Sequence, residues 1–232
     1  MIHLISYNIR FGKRLEDILA WLKTQVRVDI LCFQEFPETK IFDCLTAFGN
    51  TSYGYSFAPS MNIRKKTYGE LTLYRTDRMK LVSSTIVRLN TNTIDRFSMG
   101  RRSSRSCILT VFQMQQKKVA LANIQLASLA SNKLRYGQIQ NIIDTLASYN
   151  IPRLLVGDFN MTSMIRRKRL IAYMRRHRYL TEVKKVATHR LIFINHQLDY
   201  VFGNNCTVET LSVERVRFSD HYPVKATLSL QE

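Results

Sequence analysis

The sequence predicts an α/β fold built of packed layers. Three observations predict it. A strand, a helix and a second strand open the chain; strand-like runs recur to its end; and apolar residues fill 45% of 232 positions, enough for a substantial buried core. Residues 2–9 alternate apolar and polar, the period of a strand. Residues 13–26 place Leu15, Ile18, Leu19, Leu22 and Val26 on one helical face. Residues 29–35 enclose Ile30-Leu31-Cys32-Phe33, an apolar run short enough for a buried strand. Residues 53–67, with Gly54, Pro59 and Asn62, read as a loop, although Tyr53 and Tyr55-Ser56-Phe57 also suit a core strand. Residues 71–75, 85–89, 107–112 and 119–126 read as strands. Residues 132–149 carry Leu134, Ile139, Ile142, Ile143 and Leu146 at helical spacing. Residues 152–158 form another buried strand, a short basic helix follows, and the pattern from His196 onward is strand-like again. With no fixed-period repeat and no linker-like stretch, residues 1–232 read as a single domain.

Charge narrows the partner. The chain has 35 Lys and Arg against 17 Asp and Glu, a net +18, which points to a polyanion, either nucleic acid or an anionic membrane. Between Arg96 and Ile143 there is no acid and there are eight basic residues. Between Phe159 and Thr181 there is again no acid, and Arg166-Arg167-Lys168-Arg169 and Arg175-Arg176-His177-Arg178 flank Leu170, Ile171, Tyr173 and Met174. Such an amphipathic basic helix suits a phosphate backbone better than a membrane, because its apolar side is short; a merely solvated face is the plain alternative. No stretch approaches the ~20 apolar residues of a membrane span, and the first residues do not resemble a signal peptide. Cys32, Cys44, Cys107 and Cys206 form no CxxC pair and read as buried thiols, so a reduced, cytoplasmic setting is expected.

The few acids are informative by position. Glu35 and Asp158 end apolar strands, Asp199 lies in Leu198-Asp199-Tyr200, and Asp220 precedes His221. Carboxylates at strand ends of an α/β fold converge on one rim, and hard divalent cations take oxygen ligands of this kind. A metal-holding acidic centre inside a cationic surface suits phosphodiester cleavage.

Six motifs in order extend this reading. They are Ser6-Tyr7-Asn8-Ile9-Arg10, Gln34-Glu35, Tyr68-Gly69-Glu70, Gly157-Asp158-Phe159-Asn160, Leu198-Asp199-Tyr200 and Ser219-Asp220-His221-Tyr222-Pro223-Val224. Together, over residues 2–230, they resemble the endonuclease/exonuclease/phosphatase superfamily, and within it the deoxyribonuclease I branch. The resemblance implies a four-layer α/β sandwich, with two mainly antiparallel sheets packed face to face and helices outside.

It also implies roles. Glu35 resembles the principal metal-binding carboxylate, with Asn8 and Asp220 close to the metal, Mg²⁺ or Mn²⁺. Asp158 and Asn160 resemble the pair that orients the attacking water and phosphate. Asp199 would pair with His221, which acts as general base or as a cationic phosphate contact. Arg10 and Arg105 resemble phosphate-gripping arginines, Arg101 and Arg102 being the register alternatives to the second. Tyr68 resembles a substrate contact, Glu70 an acid that orients a second histidine, and Thr188 a phosphate-contacting hydroxyl. Two departures stand out. Gln125, in Asn123-Ile124-Gln125-Leu126, occupies a position where many members carry histidine, and it cannot deliver a proton. Pro37 stands where the branch has a groove-entering arginine.

The expected activity is a Mg²⁺-dependent, monomeric phosphodiesterase acting on nucleic acid, DNA in the first place, with Arg166, Arg167, Arg175 and Arg176 on the backbone. A phosphoinositide or sphingomyelin-type lipid phosphohydrolase that contacts anionic membranes is the first alternative. A non-catalytic nucleic-acid-binding relative is the second.

Overall fold

A computed structural model of the chain describes residues 1–25, 28–49, 52–100, 104–182, 186–191 and 194–231. Its strands are β1 (Ile2–Asn8), β2 (Ile30–Pro37), β3 (Tyr53–Ile63), β4 (Lys66–Arg75), β5 (Lys80–Arg88), β6 (Ser106–Met114), β7 (Lys117–Gln125), β8 (Arg153–Asp158), β9 (His189–Leu191), β10 (Ile194–His196), β11 (Asp199–Asn204), β12 (Cys206–Val213) and β13 (Val224–Leu230). Its helices are α1 (Leu15–Lys23), α2 (Ile41–Ala47), α3 (Thr93–Met99), α4 (Asn132–Ala147) and α5 (Met164–Arg176).

The strands form a six-stranded sheet in the order β12-β13-β1-β2-β4-β3, a five-stranded sheet in the order β11-β8-β7-β6-β5, and the small hairpin β9-β10. Within the two large sheets only the β1/β2 and β7/β8 pairs are parallel. Strand alternation gives each sheet two apolar faces. Ile2, Leu4, Ile30 and Cys32 of the first sheet pack on Phe112, Leu121, Leu154 and Val156 of the second. On the outside of the first sheet, Leu31, Phe33 and Leu71 meet Ile18 and Leu22 of α1 and Ile41 of α2. Outside the second, Leu109, Ala122 and Ile124 meet Ile139 and Ile142 of α4 and Leu170 and Met174 of α5. The result is the expected four-layer sandwich, helices outside.

Three segments differ from the sequence reading. Residues 53–63 are a strand, not a loop, and pair with β4 through a two-residue turn at Arg64 and Lys65, both left-handed (φ 49° and 64°). Such a turn is normally signalled by Asn or Gly, and two basic residues conceal it. Helices α2 and α3, seven residues each, are too short to print a helical period. All four cysteines are buried and free. Among the described residues, no helix is long and apolar enough to cross a membrane.

Candidate active site

The inward faces of the sheets change character along their length. The residues that point between the sheets are Ile2, Leu4, Ser6 and Asn8 in β1, then Ile30, Cys32 and Gln34 in β2. In β7 they are Val119, Leu121, Asn123 and Gln125, and in β8 Leu154, Val156 and Asp158. The parallel registers Asn8↔Gln34 and Gln125↔Asp158 bring the four carboxyl ends to one edge. Just below it, the two sheets are joined by buried amides. Gln34 Nε2 donates to Asn123 Oδ1 at 2.7 Å, and Asn123 Nδ2 donates to the carbonyls of Phe33 and Leu71, both at 3.1 Å. This buried amide pair forms a hydrogen-bonded floor that fixes the sheets against each other.

Local backbone devices then aim the acids. Glu35 sits at an irregularity in the β2/β4 register between Phe33 and Phe36, with φ 58°. The extra residue sends Phe36 into the outer apolar cluster and turns Glu35 toward the second sheet, a use of bulges common beside active sites. Gly157 (φ 134°) precedes Asp158, and a Cβ there would stand 2.1 Å from the Ile124 carbonyl oxygen. Only glycine lets β7 and β8 approach at this point. Asp199 opens β11 directly opposite Asp158. Ser219 Oγ donates to the Asn8 carbonyl at 2.8 Å and pins the loop that carries Asp220 and His221.

Six predicted residues meet here. Asn8 Nδ2 donates to both Glu35 Oε1 and Asp158 Oδ2 at 3.2 Å. Asp158 accepts the Asn160 backbone N–H at 2.9 Å and its Nδ2 at 3.2 Å. His221 Nδ1 lies 2.8 Å from Asp199 Oδ2, and its Nε2 lies 3.8 Å from Asp158 Oδ2. Burial opposes a charge on the His221 ring, but Asp199, Asp158 and Asp220 outweigh it and push the ring up to about 10. Burial pushes the Asp158 carboxyl up to about 7, against the pull of His221. Asp220 is part-exposed and takes Arg10 Nε at 3.3 Å on the rim, so Arg10 stands half-exposed at the mouth. Tyr68 packs edge-on against Phe11, ring centroids 5.1 Å apart, at the same mouth.

Other predicted residues have different surroundings from those expected. Asn8 faces the acids with its nitrogen, because its Oδ1 accepts the Arg10 backbone N–H at 3.1 Å; it bridges carboxylates rather than offering an oxygen to a cation. Arg105 is buried, held by Asp95 and Gln125, and presents no guanidinium to solvent. The Thr188 hydroxyl is buried and accepts the N–H groups of Leu198 and Asp199 at 2.9 and 3.0 Å, so it clamps the start of the Asp199 strand. Glu70 pairs with Ser60 Oγ, while its other oxygen has no hydrogen-bond partner among the described residues, so among these it orients no histidine. Burial holds it up to about 8. Arg166 and Arg167 are half-buried near the start of α5; Arg175 and Arg176 are exposed, roughly 14 Å further along it. Arg101 and Arg102 lie outside the described residues.

Sequence reasoning missed Asp95, the Gln34–Asn123 floor and His189, whose ring meets His221 edge-on at 4.7 Å. Gln34 and Asn123 stood inside quoted motifs; Asp95 and His189 had no motif to reveal them.

The donor set suits a divalent cation. One ligand atom from each of Asp158, Asp199 and His221 lies within 4.8 Å of the others, Asp199 Oδ1 is buried without a partner among the described residues, and Asn8 links Asp158 to Glu35. Carboxylate oxygens are hard ligands for such a cation, whereas a charged His221 ring is not one.

A UPF0294 protein of Yersinia pseudotuberculosis is 30% identical over 125 residues, which cover 53% of this chain and 48% of that protein; the match thus spans about half the length of that relative. An endonuclease/exonuclease/phosphatase from Bacteroides vulgatus superposes with TM-score 0.79 at 17% identity, covering 99% of both chains. The human Nocturnin catalytic domain, solved with bound sulfate, superposes with TM-score 0.70 at 20% identity, covering 98% of this chain and 94% of that one. The family profile matches residues 5–221, nearly the whole chain, and shows that the chain belongs to the Endonuclease/Exonuclease/phosphatase family, whose members are hydrolases acting on phosphate esters.

Proposed function

We propose that the chain is a divalent-metal-dependent phosphodiesterase that hydrolyses nucleic acid, DNA in the first place, by in-line attack of water. The observation that carries this reading is the meeting of Glu35, Asp158, Asp199 and His221 at one sheet edge, in a chain of net charge +18. Glu35, Asp220 and Asp199 Oδ1 would hold Mg²⁺ or Mn²⁺, which when bound polarises phosphorus and stabilises the leaving oxygen.

The residues of the chain divide the remaining work. Asp158, poised near neutrality, accepts the proton of the attacking water at Oδ2. His221 stays an imidazolium at neutral pH and contacts a phosphate oxygen through Nε2, with Asp199 fixing its ring through Nδ1. Asn160, pinned by the Leu126 carbonyl at 2.9 Å, holds Asp158 in line. Arg10 takes a phosphate at the mouth, where a planar fork can bond two oxygens. Gln125 delivers no proton, so leaving-group help from that position is confined to hydrogen bonding.

A second reading has its own support. Ile94 and Phe97 on α3 and Leu129 are 65%, 63% and 52% exposed, and Asn92 Nδ2, at the start of α3, donates to the Leu129 carbonyl at 3.0 Å. This apolar edge would suit a lipid surface and a lipid phosphoester. A cleavage panel of plasmid, single-stranded DNA, RNA, abasic duplex, phosphoinositide and sphingomyelin, with Mg²⁺ or EDTA, decides. Cleavage of a nucleic acid in Mg²⁺ alone is expected. Turnover confined to the lipids would overturn the nucleic-acid assignment in favour of the second reading.

A further inference from the structure

We infer that Asp95, on α3 and outside every sequence motif, is a positioning residue of this site: it anchors a buried chain, Asp95–Arg105–Gln125–Glu35, that fixes which way the Gln125 amide points and where the Glu35 carboxylate rests. The inference depends on the reading of Glu35 as part of a phosphodiesterase centre. Asp95 holds the Arg105 guanidinium as a fork, Nε on Oδ2 and Nη2 on Oδ1, both at 3.0 Å. The two side chains are 0% and 2% exposed, so neither meets substrate.

The fork leaves Nη1, which donates to Gln125 Oε1 at 3.0 Å. A guanidinium cannot accept, so the amide oxygen must face Arg105 and the amide nitrogen must face the other way. That nitrogen donates to Glu35 Oε1 at 2.7 Å. A glutamate in place of Gln125 would meet Glu35 as a like charge. The pairing also cancels the Arg105 charge, so Gln125 is oriented by a cation without adding net charge beside the acids. Asp95 is itself secured, its backbone N–H donating to Asn92 Oδ1 at 2.7 Å. Partners of this kind orient the groups that do chemistry, and their loss costs activity without substrate contact.

A double-mutant cycle tests the chain. Asp95→Asn keeps the shape and removes the charge that holds the fork. It is expected to lower kcat for Mg²⁺-dependent cleavage about tenfold, with KM within about twofold, and to cost no more than about a further twofold in a Gln125→Ala background. Equal losses in both backgrounds would mean that Asp95 does not act through Gln125 and would overturn the proposal. A lone buried Arg105 can unfold the protein, so Asp95→Leu/Arg105→Met, which removes both charges together, is the second arm. It is expected to fold and to show the same kcat loss.

The readout independent of activity is hydrogen exchange of the Gln125 side-chain amide in ¹⁵N-labelled protein. Protection should fall at least about tenfold in the second variant, while the backbone amides of β7 keep theirs. Unchanged side-chain protection overturns the chain of contacts. Lost protection in a protein that cleaves no phosphodiester supports the chain and overturns the functional reading instead.

Discussion

In the proposed mechanism Asp158 is the base and His221 the cationic phosphate contact, because different surroundings raise each group. Burial raises the Asp158 carboxyl to about 7, and the acids around His221 raise its ring to about 10. The base must be unprotonated and the phosphate contact protonated. Activity should therefore rise as pH passes about 7 and fall as it passes about 10. The bell in kcat/KM belongs to the interacting group as a whole. Asp199→Asn removes the hydrogen-bonded charge on Nδ1 and should bring the falling limb down by more than about one pH unit; a pH–rate profile checks this, and a fixed falling limb would refute the pairing. Several of these residues were readable as motifs, since Asp158, Asp199 and Asp220-His221 sit in short stretches of fixed order. The true surroundings of Arg105 and Thr188 were not readable. Whether an arginine meets a phosphate or a buried aspartate depends on α3, which lies ten residues before it and carries no pattern of its own.

Among the elements, β7 and β8 matter most, because their parallel pairing sets Gln125 beside Asp158. That pairing depends on Gly157, where any side chain would collide with the Ile124 carbonyl and strain a φ of 134°. Gly157→Ala is expected to destabilise the fold by about 3 kcal/mol, lowering Tm by roughly 6–12 °C, and to reduce activity as Asp158 shifts; thermal melts check the first and turnover the second. Most strands were legible because alternation and apolar runs are local signals. The hairpin of β3 and β4 was not, because Arg64 and Lys65 adopt left-handed turns without glycine. The bulge at Glu35 was also hidden, since no residue type announces it, yet it alone turns the carboxylate inward.

At the scale of the whole molecule, the acidic edge is a small island on a chain of net +18. Arg175 and Arg176 lie exposed at the far end of α5, where they could follow a phosphate backbone leaving the site. Replacing both with Ala should reduce the salt slope of DNA binding by about two and leave single-nucleotide-scale chemistry untouched. A slope that does not change returns this helix face to simple solvation, which its charge pattern alone always allowed. The four-layer architecture was implied by the order of the motifs rather than by composition, because net charge and apolar content are shared by many folds. What joins charge, fold and site is the role of Glu35, and one measurement bears on it most directly: plasmid cleavage against Mg²⁺ concentration for the wild type and Glu35→Ala. Metal-dependent cleavage is expected, abolished by EDTA and reduced at least about 100-fold in the variant, with Tm unchanged. Equal cleavage by the two proteins, or cleavage indifferent to EDTA, would contradict it.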